Sequence, residues 1–132
     1  MNSNYQNMCE NAFPIQEMTP QEAINVGEGY ESANGFVWVP SLDDLRNLIR
    51  GNTRKMWGWR FGEGDEDPLS FIYRLNEYSS LLCLKSTTIL EEVFLSFYMA
   101  QAHHLRWSKE KNEWILASEE VKALFNKYSE KK

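Results

Sequence analysis

Residues 88–104 constrain this chain more than any other stretch. Thr88-Ile-Leu-Glu91 has the form of a capping box, in which the Thr hydroxyl accepts from the amide three residues on and Glu91 reaches back to the Thr88 amide. Glu91 and Glu92 also occupy the first turn, where the helix dipole favours negative charge. Val93-Phe-Leu-Ser-Phe-Tyr-Met-Ala100 then runs on with a single polar residue. Wound as a helix, Ile89, Leu90, Val93, Phe94 and Phe97 form a wide stripe, and Leu95, Tyr98, Met99 and Ala100 fill much of the remaining circumference. A helix apolar nearly all round has to be buried by several neighbours. The run is too short to span a bilayer and opens on two glutamates, so it predicts a core helix rather than a membrane segment.

The neighbours are legible on both sides of it. Ser41 caps a helix over 41–50, with Asp43 and Asp44 in its first turn, one apolar face from Leu42, Leu45, Leu48 and Ile49, and Gly51 as its stop. Asp67-Pro68 opens a helix over 68–84, with Leu69, Ile72, Leu75, Tyr78 and Leu82 at helical spacing. The short Ser86-Thr87 link makes it an antiparallel hairpin with the core helix. Leu105-Arg-Trp107 and Trp114-Ile-Leu116 predict a β-hairpin over 105–116 with a loop at 109–112. That register sets Trp107 opposite Trp114 and Leu105 opposite Leu116. Ser118 caps a last helix over 118–129, whose face is Val121, Leu124, Phe125 and Tyr128.

Further strands are expected at Phe36–Val39, closed by Pro40, and at Lys55–Phe61, where Trp57, Trp59 and Phe61 alternate. Thr19-Pro-Gln-Glu22 repeats the capping-box signal and predicts a short helix from Pro20 to Val26, stopped by Gly27. The stretch 27–35 has loop composition. Residues 1–18, rich in Asn, Gln and Glu, predict a flexible acidic N-terminal tail. The expected architecture is one mostly helical α+β domain over 19–132, with a central buried helix at about 88–104, the 105–116 hairpin and one or two short additional strands. At 132 residues, 42% hydrophobic, the chain can build such a core without a disulfide or metal. Cys9 and Cys83 read as free thiols in a reducing compartment, and no basic-then-apolar leader opens the sequence, so the expected location is cytoplasmic.

Charge is segregated. Residues 1–34 carry five Glu and no Lys or Arg, 35–62 carry five basic residues against two acidic ones, and 63–67 hold four acids. The most suggestive cluster is Arg46, Arg50, Arg54, Lys55 and Arg60, interleaved with Trp57 and Trp59. Arg and Trp dominate the hot spots of protein interfaces. Catalytic patterns are missing: there is no HExxH, CxxC, GxSxG or phosphate-binding glycine loop. The acids at 63–67 fail the spacing of an EF-hand. Glu92 and His103 lie about 16 Å apart along a helix, too far to share a metal.

The sequence therefore predicts a small non-enzymatic protein-interaction module, an adaptor, regulator or inhibitor, that needs no cofactor or metal and binds another protein through 46–60. Nucleic-acid binding through the same patch is the first alternative; exposed rings could stack bases, but a net charge of −5 argues against it. A small enzyme or metal protein using His103 or His104 is the second. Self-association stays open, and the order of helices and hairpin resembles a winged helix only superficially, because Glu91 and Glu92 stand where base-reading cations would be needed.

Overall fold

A computed structural model describes the backbone of residues 3–33, 35–57, 75–78 and 89–130, and the side chains of 4–33, 35–52, 75–78 and 89–124. In chain order the elements are α1 (Ser3–Asn11), α2 (Phe13–Glu17), α3 (Gln21–Asn25), β1 (Gly29–Ser32), β2 (Gly35–Trp38) and α4 (Leu42–Trp57). Residues 75–78 are helical and are called α5. Then come α6 (Leu90–His103), β3 (Leu105–Ser108), β4 (Glu113–Leu116) and α7 (Glu119–Glu130). The chain is α+β and mostly helical, with two small antiparallel hairpins, β1–β2 and β3–β4.

The core helix is α6, and it is enclosed as its composition requires. Leu95 through Gln101 are buried without a break. Those seven successive residues make nearly two turns, so no side of the helix faces water there. α4 covers one side with Leu45 and Ile49, α7 contributes Val121, and α5 brings the Tyr78 ring edge-on to Phe97 at 5.5 Å between centroids. Two polar groups inside this packing satisfy each other: Gln101 Nε2 donates to Asn52 Oδ1 at 2.8 Å. This part-buried bond ties α6 to α4, and breaking it would forfeit a hydrogen bond worth about 0.5–1.5 kcal/mol.

The expected capping box at the start of α6 is corrected. The N-cap is Ile89, with no side-chain bond, and Thr88 lies outside the described residues. At the other end His104 takes a left-handed conformation (φ 57°), and its amide is shared between the carbonyls of Met99 and Ala100. The chain can then turn straight into β3. Hairpin β3–β4 has the register expected from its sequence: Leu105 faces Leu116 and Trp107 faces Trp114. The two indoles meet edge-to-face at 5.3 Å. Ser118 caps α7 through a bond from the Val121 amide to its hydroxyl.

Within 1–18, where the sequence leads one to expect a flexible tail, the described residues are packed on the domain. Residues Ser3–Asn11 and Phe13–Glu17 are helical, and Tyr5, Met8, Cys9, Ala12 and Ile15 are part of the core. Those positions recur at offsets of 3, 4, 7 and 10, a helical face written in weakly apolar residues amid Asn and Gln. The segment is also bonded to much of the fold. Tyr5 donates its hydroxyl to the Pro40 carbonyl at 2.6 Å, and Trp114 Nε1 donates to the Met8 carbonyl at 3.0 Å. Asn4 donates to Glu92 Oε1 at 2.9 Å. Gln16 acts as a surrogate strand, accepting from the Trp38 amide at 2.8 Å and donating to its carbonyl at 2.9 Å.

Two local expectations near the first hairpin also change. Helix α3 is capped at Pro20 without a side-chain bond, because Thr19 Oγ1 donates back to the Gln16 carbonyl at 2.6 Å instead. The stretch 27–35, expected as loop, contains β1, whose residues Gly29–Ser32 pair with β2. Gly29 is obligatory in it: a Cβ there would fall 1.9 Å from the Val37 carbonyl oxygen. Of the expected helix over 68–84 only 75–78 belong to the described residues, and its link to the core helix lies outside them.

Membership of α2 in the core has a direct test. Ile15→Ala should cost about 2–4 kcal/mol of unfolding free energy, the usual loss for truncating a fully buried aliphatic side chain. Phe13→Ala, two residues away but 69% exposed, should cost less than about 0.5 kcal/mol. Urea denaturation followed by circular dichroism reads both; a loss at Ile15 no larger than that at Phe13 would contradict the packing.

Candidate functional site

The candidate face belongs to α4, and its start is fixed by a small acidic cluster. Ser41 and Asp44 form a reciprocal cap: the Asp44 amide donates to Ser41 Oγ at 3.2 Å, and Asp44 Oδ2 accepts from the Ser41 amide at 3.0 Å and from its hydroxyl at 3.0 Å. This is the capping-box logic with Asp in place of Glu. Glu28, arriving from the foot of β1, accepts from the same Ser41 amide at 3.1 Å. Two carboxylates therefore converge on one N–H. A proton shared with Asp44, together with partial burial and the Asp44 charge, raises the pKa of Glu28. Burial pushes Asp44 upward, but hydrogen bonds from Glu28 and from both Ser41 donors outweigh it and hold its pKa below the ordinary Asp value.

Beyond this cap α4 does not end where the sequence suggested. Gly51 is helical and is not among the left-handed glycines, which among the described residues are Gly27, Gly29 and Gly35. Without a left-handed residue there is no turn to stop the helix. Continuation is also what delivers Asn52 to Gln101. The strand expected over 55–61 is thereby corrected for Lys55, Met56 and Trp57, which lie in the last turns of α4.

The residues of the basic–aromatic cluster separate accordingly. Arg46 is exposed and Arg50 half-buried, with its guanidinium directed to Asn47 Oδ1 at 3.4 Å. Positions 54, 55 and 57 lie on α4 by their backbone, while Trp59 and Arg60 lie outside the described residues. In one continuous helix positions 46, 50, 54 and 57 recur at offsets of 4, 8 and 11, so they share a side, and position 55 falls further round. The side facing α6 is formed by Leu45, Ile49 and Asn52 instead. The structure thus brings Arg46, Arg50 and positions 54 and 57 onto one helical ridge. What sequence reading missed was Glu28, whose approach to Asp44 depends on a strand in a stretch that looked like loop.

The other candidates are also placed. His103 and His104 are exposed at the end of α6. The His103 ring meets Tyr98 edge-on at 5.6 Å, and its pKa is lowered by burial and by His104 against an opposing pull from Glu17. Among the described residues no three His, Cys, Asp or Glu side chains are grouped as a metal site. Cys9 is a buried free thiol whose pKa burial pushes up to about 12, against a lowering bond from Tyr5. Cys83 and the acids at 63–67 lie outside the described residues. No described helix is long and apolar enough to cross a membrane.

Comparison of the chain with protein-family models, with curated proteins and with solved structures finds no match.

The carboxylate pair predicts a pH signature. A raised Glu28 pKa means that its contribution to stability is present at acid pH and is lost as pH climbs through the raised value. Asp44, held low, contributes above its unfolded value and loses that contribution only in stronger acid. Glu28→Gln keeps an acceptor for the Ser41 amide and a donor for Asp44 at every pH. The variant should therefore melt higher than wild type at pH 7, with the gap closing as pH falls toward 4.5. Thermal melts across that range check it, and a gap that does not depend on pH would contradict the shared proton.

Proposed function

We propose that this chain is a non-enzymatic protein-interaction module, a regulator or adaptor, that binds an acidic surface of another protein through the basic ridge of α4. One observation carries the reading: α4 runs unbroken from Leu42 to Trp57, so Arg46, Arg50 and position 54 lie on one side of one helix, away from its buried face. From 46 to 54 the ridge spans about 12 Å, a length suited to a short row of carboxylates. Arg is the cation best fitted to pair with them, because its planar fork binds a carboxylate through two hydrogen bonds. The ridge stands on a chain of net charge −5, so attraction is local to this face. The same negative background disfavours nucleic acid, whose binding depends on bulk neutralisation of phosphates. A cytoplasmic setting accords with the free thiol at Cys9.

The test is capture from native lysate by tagged wild-type protein and by Arg46→Glu/Arg50→Glu, each with and without nuclease. Proteins should be retained by wild type in both halves and reduced at least about tenfold, or ~1.4 kcal/mol, by the double variant, whose circular dichroism should show the same helical content. Retention indifferent to the charge reversal would refute the ridge as the docking face. Retention lost to nuclease alone would transfer the face to nucleic acid.

A further inference from the structure

We propose that the outer side of α2 and α3 is a second docking surface, and that it takes a cationic amphipathic segment of another protein. The inference does not rest on the reading of α4, since it concerns a separate face of opposite charge. Among the described residues the exposed large hydrophobic side chains are concentrated: Phe13, Met18, Ile24 and Val26 all fall within residues 13–26, and only Leu90 and Leu116 lie elsewhere. Apolar side chains scattered singly over a surface are ordinary, but a concentration of them marks a binding face. Phe13 and Val26 are each 69% exposed. The fold keeps these side chains near one another. α2 and α3 both pack on β2, a four-residue strand about 10 Å long, so the two helices lie side by side. Ile15 and Ala23 are the residues they bury, which leaves Phe13, Ile24 and Val26 turned to water. Met18 joins this surface to α6, its Sδ accepting from the Tyr98 hydroxyl at 3.9 Å.

The charge around these side chains defines what fits them. Residues 1–34 hold five Glu and no Lys or Arg, which accounts for the whole net charge of −5, and the rest of the chain is balanced. Glu17 and Glu22 stand on α2 and α3 themselves, and both are exposed. Among the described residues neither forms an ion pair. An occupant that covers Phe13 and Val26 therefore needs apolar side chains to meet them, and Lys or Arg beside those to meet the two carboxylates. Two other occupants fit less well. An anionic membrane surface would be repelled by the same glutamates. A second copy docked by two-fold symmetry presents the same patch, so it would bring a second set of glutamates to an interface that holds no cation of its own.

The probe is a labelled peptide of ~18 residues with Leu on one helical face and Lys on the other, alongside a scrambled peptide of the same composition. Fluorescence anisotropy should show the amphipathic peptide binding the full chain at least about tenfold more tightly than the scrambled one. Phe13→Gln/Val26→Gln replaces two exposed side chains, so its circular dichroism should match wild type while its affinity falls at least about tenfold. Glu17→Lys/Glu22→Lys should weaken binding as much. Glu110→Lys/Glu113→Lys makes the same change in net charge at exposed positions by the second hairpin, and should leave affinity within about twofold. An amphipathic peptide that does not bind wild type overturns the proposal, as does a Phe13→Gln/Val26→Gln protein that binds like wild type. Equal losses from the two charge reversals would reduce the attraction to bulk charge and overturn the face. A concentration-dependent dimer in sedimentation that Phe13→Gln/Val26→Gln dissolves would assign the surface to a second copy and overturn the cationic partner. None of these outcomes bears on Arg46 and Arg50, whose role is decided by the lysate capture.

Discussion

Enclosure of α6 is the constraint from which the rest of this structure follows. A helix with almost no polar side cannot be left half in water, so the chain must supply cover in every direction. α4, α7, α1 and β3 all pack against it, and Tyr78 of α5 meets Phe97 edge-on. A polar contact between α4 and α6, Asn52 with Gln101, adds little net energy but helps set the rotation and height of α4. Once Leu45, Ile49 and Asn52 point inward, the outward side of α4 is determined, and with it the positions of Arg46 and Arg50.

The first seventeen residues meet the same demand for cover with modest means. Their buried set is one aromatic ring, one Ile and the small or flexible side chains Met8, Cys9 and Ala12. Burial alone would hold such a segment weakly. Polar side chains make up the difference by capping backbone groups elsewhere: Gln16 satisfies both the amide and the carbonyl of Trp38, and Tyr5 satisfies Pro40. Because Pro40 and Ser41 lead directly into α4, the N-terminal helix, the first hairpin and the acidic cap at Glu28 and Asp44 form one supported corner. The orientation of the candidate face is thus held from two ends, by that corner and by the Asn52–Gln101 pair.

Within α4 the same residues serve two opposed requirements. Asp43 and Asp44 suit the positive end of the helix dipole, and the arginines follow along its length. The result is a helix with an acidic start and a basic body.

The sequence by itself determined the elements whose signals are local and strong. The apolar run at 93–100 fixed the buried helix, the alternation and spacing of Trp107 and Trp114 fixed a hairpin with its register, and Ser41 and Ser118 marked the starts of α4 and α7. Tertiary structure decided where local signals were weak or divided. Glycine at 51 is a stop only if the backbone turns left-handed there, and the pairing of Asn52 with Gln101 makes continuation the better outcome. The face of α1 was written in the sequence at positions 5, 8, 9, 12 and 15, but weakly apolar residues among Asn and Gln gain enough from burial only when α6 and the hairpins are there to receive them. The arginines could be counted in the sequence; that 46, 50 and 54 share one side depends on a helix continuing through Gly51, which long-range contacts secure.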